Sequence, residues 1–239
     1  MPRRARPSGP NTRSARSPKQ RTARSSAPAR RDEGSPAPTP GPFVLGAIPG
    51  ATPGKWIDAW QERMPRNPLE LRALDVAEQR DALISGGVDA ALVRLPIDRS
   101  DLHVIPLYDE VPVVATSADS HLTAADVLSP DDLVDEVLII PGDDALGIRQ
   151  EMFPGVATPA FDPPTTTEDA IATVATGVGI VIVPMSLARL HHRKDVAHRR
   201  LEGAPESTVA LAWVADRTTP LVDAFVGIVR GRTANSSRS

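Results

Sequence analysis

The sequence predicts an α/β protein whose body consists of two similar halves, and three observations lead to this class. From Phe43 onwards, short apolar runs alternate with stretches that have the apolar spacing of a helix. The apolar runs of the first half lie about 20–25 residues apart, which leaves room for a helix between parallel strands. The same alternation begins again at Val137, after a polar stretch.

The first half begins with a buried strand over 43–48 and a turn over 49–51. Thr52 is expected to cap the next helix, with Pro53 at its first position. Trp56 and Trp60 follow at helical spacing, where they either pack on the core, as we expect, or form an exposed face for a dimer. The further elements predicted here are a strand over 69–74, a helix over 77–85, a strand over 89–93 and extended runs over 103–107 and 111–116.

The second half repeats the pattern after a single capped helical turn predicted at 129–133. Thr165 with Glu168 and Thr166 with Asp169 form two overlapping capping boxes, which predict a helix ending at Gly177. The other predicted elements are strands over 137–140, 156–161, 178–183 and 209–214 and helices over 145–152 and 220–231. The last strand and helix are expected to complete the first half.

Composition excludes several classes of function. The chain contains no cysteine, so it has no disulfide, no Cys-ligated metal and no thiol nucleophile. Aromatic residues make up only 3%, too few for base stacking along single-stranded nucleic acid. No run of 18 apolar residues is present, so we expect no membrane span.

The charge is divided between a basic amino-terminal segment and an acidic body. Residues 1–42 contain ten Arg or Lys and two acidic residues, whereas residues 43–230 contain 15 basic and 28 acidic residues. The first segment also has nine prolines and almost no large apolar side chains, so we expect a disordered arm, and residues 231–239 are expected to be a disordered tail. A secretion signal is disfavoured because no apolar region follows Arg3 and Arg4, and the prolines oppose the helix of an organelle transit peptide.

Two interpretations of the arm remain, a solvated tail attracted to its own acidic body and a non-specific contact with nucleic-acid phosphates. The residues that would make the second contact are Arg3, Arg4, Arg6, Arg13, Arg16, Lys19, Arg21, Arg24, Arg30 and Arg31.

Three turns that precede helices are candidates for binding a small anion in a crevice between the halves. A helix start offers free N–H groups and a partial positive charge, which suit a carboxylate or a phosphate. Arg94, just after the third strand, is a candidate for bidentate contact with such a group. The alternative is that the threonines only cap helices and Arg94 forms a surface ion pair. The candidate turn residues are Pro49, Gly50, Ala51 and Thr52; Pro141, Gly142 and Asp143; and Thr166 and Thr167.

Catalytic patterns are not found in the sequence, so we expect no enzyme, no metal and no cofactor. There is no Gly-x-Ser-x-Gly, no Walker loop and no Gly-x-Gly-x-x-Gly. His191 and His192 are adjacent, so their side chains diverge, and they lie among basic residues that suggest the solvated end of a short helix.

Four stretches in order resemble the effector-binding domain of LysR-type regulators. They are FVLGA at 43–47, LISGGVDAALV at 83–93, LYDEVPVV at 107–114 and VATGVGIVIVP at 174–184, the last followed by SLA at 186–188. Together the resemblance covers residues 43–230.

The resemblance implies two Rossmann-like lobes with a hinge, of the periplasmic-binding-protein type II-like fold. Lobe I would comprise 43–116 plus 209–230 and lobe II 117–208, with the hinge crossings near 113–117 and 206–211. It also implies a small effector, often an organic anion, in the cleft. Cleft residues would lie at 49–52, at 141–143, at Thr166 and Thr167, and at Pro184.

The implied function is a ligand-sensing transcriptional regulator, cytoplasmic and homodimeric. The alternative is a solute-binding protein for a small anionic metabolite, which the missing signal peptide disfavours. LysR-type regulators carry an amino-terminal helix-turn-helix, and no recognition helix fits the Pro-rich residues 1–42. We therefore expect this chain to lack that motif, and any DNA contact to come from the basic arm.

Overall fold

Two five-stranded mixed sheets carry the fold in the computed structural model, which describes residues 41–231. The predictions about the basic arm, about the missing helix-turn-helix and about the tail beyond residue 231 lie outside the described residues. No helix within 41–231 is both long and apolar enough to cross a lipid bilayer.

The first sheet has the strand order β2-β1-β3-β10-β4 and forms lobe I with helices α1, α2 and α5. Strand β1 pairs in parallel with β2 and β3, as the strand spacing predicts, whereas β10 is antiparallel to β3 and β4. The elements of lobe I are β1 Phe43–Ala47, α1 Gly54–Arg63, β2 Leu69–Ala73, α2 Gln79–Ile84, β3 Ala90–Arg94, β4 Leu102–Glu110, β10 Ser207–Val214 and α5 Pro220–Val229.

The second sheet has the order β6-β9-β5-β8-β7 and forms lobe II with helices α3 and α4. Its central strand β5 is antiparallel to β8 and β9. The elements of lobe II are β5 Pro112–Ser117, β6 Val127–Leu128, β7 Leu138–Ile139, α3 Thr167–Val174, β8 Ile180–Pro184, α4 Met185–Leu190 and β9 Val196–Leu201.

The chain crosses between the lobes twice, and the first crossing differs from the predicted one. Strand β5 pairs only with strands of the second sheet, so the boundary lies at Val111 and not after Thr116. The second crossing consists of residues 202–206, between β9 and β10. The sequence predicts the extended runs 103–107 and 111–116 in one lobe, because nothing in it marks a change of sheet between them.

The predicted helix over 145–152 is wrong, since only Gln150–Met152 form a short 3-10 helix. The Asp144 carboxylate accepts hydrogen bonds from the backbone N–H groups of Leu146 and Ile148. These bonds, with Gly147 at φ 64, hold the segment in a loop and withdraw donors from a helix.

The predicted strand over 156–161 is also wrong, because the structure contains only an isolated bridge between Val137 and Ala157 there. Prolines at positions 154 and 159 remove backbone donors on either side of this bridge. By contrast, strand β9 was not predicted. Its Arg199 donates hydrogen bonds to the carbonyl oxygens of Ala125 and Thr123. The strand lies inside the sheet, but its polar side chains do not give the apolar pattern from which such a strand is predicted.

An aromatic cluster forms the centre of lobe I. The Phe43 ring stacks on Trp60 at a centroid distance of 4.6 Å and lies 5.1 Å from Phe225. Trp56 is also buried, so both tryptophans pack on the core and α1 does not present them as an exposed face. The cluster packs α1 and α5 against β1 on one face of the sheet.

Replacement of Phe43 by Ala is expected to lower the free energy of unfolding by about 3–5 kcal/mol, because it leaves a cavity between two aromatic rings. Denaturant titration monitored by tryptophan fluorescence measures the loss. Leu71→Ala, in the edge strand β2 with half of its surface exposed, is the control and should change the value by about 0.5 kcal/mol or less. Equal losses in the two variants would contradict this core.

Candidate functional site

A cavity of about 760 Å³ opens between the lobes at the carboxyl ends of the lobe I strands, and we refer to it as the inter-lobe cavity. Its walls come from the turn after β1, the end of β4, the first crossing, helix α4 and strand β9. The lining residues are Gly50, Ala51, Thr52, Tyr108, Asp109, Glu110, Val111, Met185, Ser186, Arg189, Leu190 and Arg200. Both lobes therefore contribute to one concave site.

The lobes approach each other closely at Gly50. A Cβ atom on this residue would lie 2.4 Å from Oγ of Ser186, so the approach requires glycine. Gly50 also has a φ of 82°, a left-handed conformation that glycine adopts without strain. Ser186 Oγ is buried and has no hydrogen-bond partner among the described residues.

Tyr108 faces the turn after β1 from the end of β4. The backbone N–H and the hydroxyl of Thr52 lie near its phenolic oxygen and favour the phenolate. The prediction that Thr52 caps α1 is wrong, because the helix begins at Gly54 and its N-cap is Pro53, without a side-chain cap. Burial raises the pKa of Tyr108 above its usual value and the nearby Glu110 carboxylate adds to the shift, while Arg94 and the Thr52 hydrogen bonds oppose it.

Arg94 points into lobe I and does not line the cavity. Its guanidinium forms a buried ion pair with Glu110, donates to Ser207 Oγ, and lies 3.2 Å from the carbonyl oxygen of Pro49. The predicted contact of Arg94 with a ligand is therefore replaced by contacts within the protein. The alternative, an ion pair, is the one that the structure contains, although it is buried and not at the surface.

The predicted turns of lobe II contact each other. Thr167 Oγ1 donates to Oδ1 of Asp143 at 2.8 Å, and the backbone N–H of Gly142 donates to the carbonyl oxygen of Pro164. Thr166 caps α3 by accepting from the backbone N–H of Asp169 at 3.1 Å. The Asp143 carboxylate thus supplies the negative charge that the start of α3 favours.

The predicted cleft residues differ in whether they line the inter-lobe cavity. Gly50, Ala51 and Thr52 line the cavity, Pro49 lies behind its wall, and Pro184 directly precedes the lining residue Met185. Pro141, Gly142, Asp143, Thr166 and Thr167 do not line it.

Two arginines that the sequence analysis did not single out supply positive charge to the cavity. Arg189 from α4 and Arg200 from β9 are exposed, line the cavity and form no ion pair within residues 41–231. Their neighbour His198 has a lowered pKa, mainly because of burial and further because of Arg189, Arg199 and His192. No sequence motif marked these positions, and Arg200 lies on β9, which was not predicted.

The two carboxylates in the cavity wall both have partners. Glu110 is paired with Arg94, and Asp109 accepts a hydrogen bond of 2.6 Å from the Thr208 hydroxyl. Only Glu110 has a cationic partner, since the Thr208 hydroxyl carries no charge that could offset Asp109. The two free guanidinium groups nevertheless outnumber this one uncompensated carboxylate, so the site suits an anionic guest. No group of three or more His, Cys, Asp and Glu within residues 41–231 is arranged to hold a metal ion.

A sequence profile of the LysR substrate binding domain matches residues 38–234 of this chain. The chain belongs to the LysR substrate-binding domain family. This agrees with the resemblance seen in the sequence, and with the two lobes it confirms the expected fold of the periplasmic-binding-protein type II.

A curated relative of this LysR domain is the HTH-type transcriptional regulator AlsR of Bacillus subtilis (strain 168). The two are 24% identical over 179 residues, which cover 72% of this chain and 59% of AlsR. This chain thus spans about three fifths of the length of that relative. AlsR is a transcriptional regulator, which favours a regulatory role for the LysR domain over transport of a solute.

Solved structures show the same relation. The reduced form of the OxyR regulatory domain from Pseudomonas aeruginosa is 27% identical, with a TM-score of 0.64 over 81% of this chain and 99% of that domain. A full-length OxyR variant from the same organism has a TM-score of 0.62 at 25% identity, over 82% of this chain and 68% of its own. The LysR domain described here therefore corresponds to the regulatory part of OxyR.

The titration of Tyr108 tests the geometry of the cavity wall, because the chain contains one tyrosine. Ultraviolet difference spectra should show ionisation with a midpoint above 10.0. Since the folded state holds this proton more tightly, its stability falls as the pH rises from the ordinary pKa towards the raised one. Thr52→Ala should move the midpoint further upward, because the phenolate loses a donor.

Thr123→Ala serves as the control, since its hydroxyl donates to the carbonyl oxygen of Ser120 outside the cavity. A downward shift in Thr52→Ala, or an equal shift in the control, would contradict the contact between Thr52 and Tyr108.

Proposed function

We propose that this chain is a ligand-sensing transcriptional regulator of the LysR type, which binds a small organic anion in the inter-lobe cavity. The observation that supports the proposal is the pair of arginines without ion-pair partners, Arg189 and Arg200, in a cavity where Arg94 neutralises one of the two carboxylates, Glu110, and only Asp109 lacks a cationic partner. The volume of about 760 Å³ lies within the usual range of small-molecule sites.

The cavity wall offers both apolar and polar contacts to such an effector. Val111, Met185 and Leu190 provide apolar surface, while the Ser186 hydroxyl group and the two guanidinium groups provide donors. An anion with a compact hydrocarbon body satisfies both. Because Ser186 Oγ is buried without a partner, an acceptor on the effector would remove an unsatisfied polar group.

The sensing would be non-covalent. The 239 residues contain no cysteine, so a change between thiol and disulfide cannot occur within them. An effector that contacts both lobes stabilises their closed arrangement relative to any other, and only this difference in affinity shifts the population.

The role in transcription is proposed from the family. AlsR is an HTH-type regulator, and this chain matches about three fifths of it, the part that corresponds to the regulatory domain of OxyR. We infer a cytoplasmic homodimer that controls transcription when the effector binds. The basic residues 3–31 are proposed to add a non-specific contact with DNA phosphates.

Thermal-shift measurements with sodium benzoate and sodium succinate test the effector proposal against sodium chloride of equal ionic strength. At least one of the acids should raise the melting temperature. Arg189→Gln and Arg200→Gln should each raise its dissociation constant about tenfold or more, because each removes a charge-assisted hydrogen bond worth about 1.5–3 kcal/mol.

Arg193→Gln is the matched control, since Arg193 lies on the same segment but pairs with Asp195 and does not line the cavity. Benzamide, the neutral analogue, should leave the melting temperature unchanged. The proposal loses its support if neither acid shifts the melting temperature, or if Arg193→Gln weakens binding as much as the two cavity variants.

Deletion of residues 1–42 tests the DNA contact. The full chain should retard a DNA duplex in a gel at low salt, with an affinity that falls steeply as salt is added, and the deletion should abolish retardation. Deletion of residues 232–239, which removes only two arginines, is the control and should leave retardation in place. Equal retardation with and without residues 1–42 would show that the arm makes no such contact.

A further inference from the structure

The side chain of Arg94 lies where both crossings between the lobes leave lobe I. It is 2% exposed, and its carboxylate partner Glu110 is buried as well. Glu110 is the last residue of β4 and directly precedes the first crossing at Val111. Ser207, which accepts from the same Nη1 atom, is the first residue of β10 and directly follows the second crossing.

A third contact links Arg94 to the inter-lobe cavity. Its Nη2 atom donates to the carbonyl oxygen of Pro49 at 3.2 Å, and Pro49 precedes the turn of Gly50, Ala51 and Thr52 that lines the cavity. Glu110 itself lines the cavity. One guanidinium therefore contacts the cavity wall and the lobe I ends of both crossings.

The backbone of Arg94 is held in place from the other side. The Gln79 side-chain amide donates to the Arg94 carbonyl oxygen at 2.9 Å, and Gln79 Oε1 accepts from the Arg94 N–H at 2.8 Å. Gln79 is buried, so these bonds are shielded from water. The guanidinium thus extends from a fixed base.

The far ends of the two crossings are anchored in lobe II. The Val111 carbonyl oxygen accepts from the N–H of Met185 at 2.9 Å, and the N–H of Glu202 donates to the carbonyl oxygen of Leu128 at 2.9 Å. A rotation of one lobe against the other must therefore occur within Val111 and residues 202–206, provided that the ends of β4 and β10 stay in place. If the ends of β4 and β10 separate from the sheet, their movement accommodates the rotation of the lobes, and the residues that line the cavity do not move with it.

We propose that Arg94 is a positioning residue that joins Glu110, Ser207 and Pro49 into a hinge clamp, which fixes the lobe I ends of both crossings to the effector-binding turn. The inference rests on the proposed function, because the clamp would connect the effector-binding turn of the cavity to the orientation of the lobes. Only an arginine fork presents donors in several fixed directions from one buried charge; lysine offers a single point charge.

Spin labels on two introduced cysteines test the clamp, and the absence of native cysteine makes the labelling unambiguous. Asp58→Cys on α1 and Asp131→Cys lie on exposed positions of lobes I and II. Pulsed dipolar spectroscopy without effector should give one narrow distance in the otherwise unchanged chain. Arg94→Gln should at least double the width of this distribution, and Ser207→Ala should widen it less.

Arg80→Gln is the control, since it removes a partly exposed ion pair with Asp98 in the same lobe. It should leave the width unchanged. Amide hydrogen exchange gives a second measurement: Arg94→Gln should speed exchange at the end of β4 and the start of β10, but not in β8 of lobe II.

The double variant Arg94→Gln with Glu110→Gln covers the case in which Arg94→Gln alone does not fold, because it leaves no unpaired buried charge. A wide distribution in the folded double variant supports the clamp. A return to the width of the unchanged chain, or an unchanged width in Ser207→Ala and Arg94→Gln, overturns it.

The outcome is independent of the effector test. If benzoate and succinate fail to bind but the distribution widens, the effector proposal falls and the clamp stands. If an acid binds and the width stays constant, the clamp alone is wrong.

Discussion

The buried ion pair between Arg94 and Glu110 is the interaction on which the geometry between the lobes depends. Both groups are almost fully removed from water, and each would cost several kcal/mol if it were left alone. The pair lies at the end of the sheet, where β3, β4 and β10 meet the turn after β1. Because a hydrophobic replacement of similar volume could be equally stable, its position at both crossings suggests a role in geometry more than in stability.

The same pair determines the electrostatics of the cavity. Glu110 lines the cavity, and its charge would repel an anion if Arg94 did not neutralise it from behind. Asp109 accepts a hydrogen bond from the Thr208 hydroxyl but has no cationic partner, so it is the one carboxylate in the cavity wall whose charge the two exposed arginines on α4 and β9 must outweigh. In lobe I a buried arginine therefore neutralises Glu110, whereas in lobe II two exposed arginines attract the anionic effector.

Much of the fold could be predicted from the sequence where hydrophobic periodicity is strong, as in the parallel strands of lobe I and the apolar run of β8. Prediction failed where side-chain bonds decide the backbone, as at Asp144, or where a strand inside the sheet is polar, as at Arg199. In the candidate site, the same logic predicted only the turn after β1. The turn at 49–52 was found because it follows a buried strand, but Arg94 was assigned outward because sequence alone does not show on which side its partner Glu110 lies.

The overall charge of the body makes short-range contact essential for recognition of an anion. Residues 43–230 carry 28 acidic and only 15 basic residues, so at a distance the body repels an anionic effector. At physiological ionic strength this repulsion is screened beyond about 8 Å, whereas contact with Arg189 or Arg200 inside the cavity is screened much less. Selection of an effector therefore depends on a few atoms within the inter-lobe cavity.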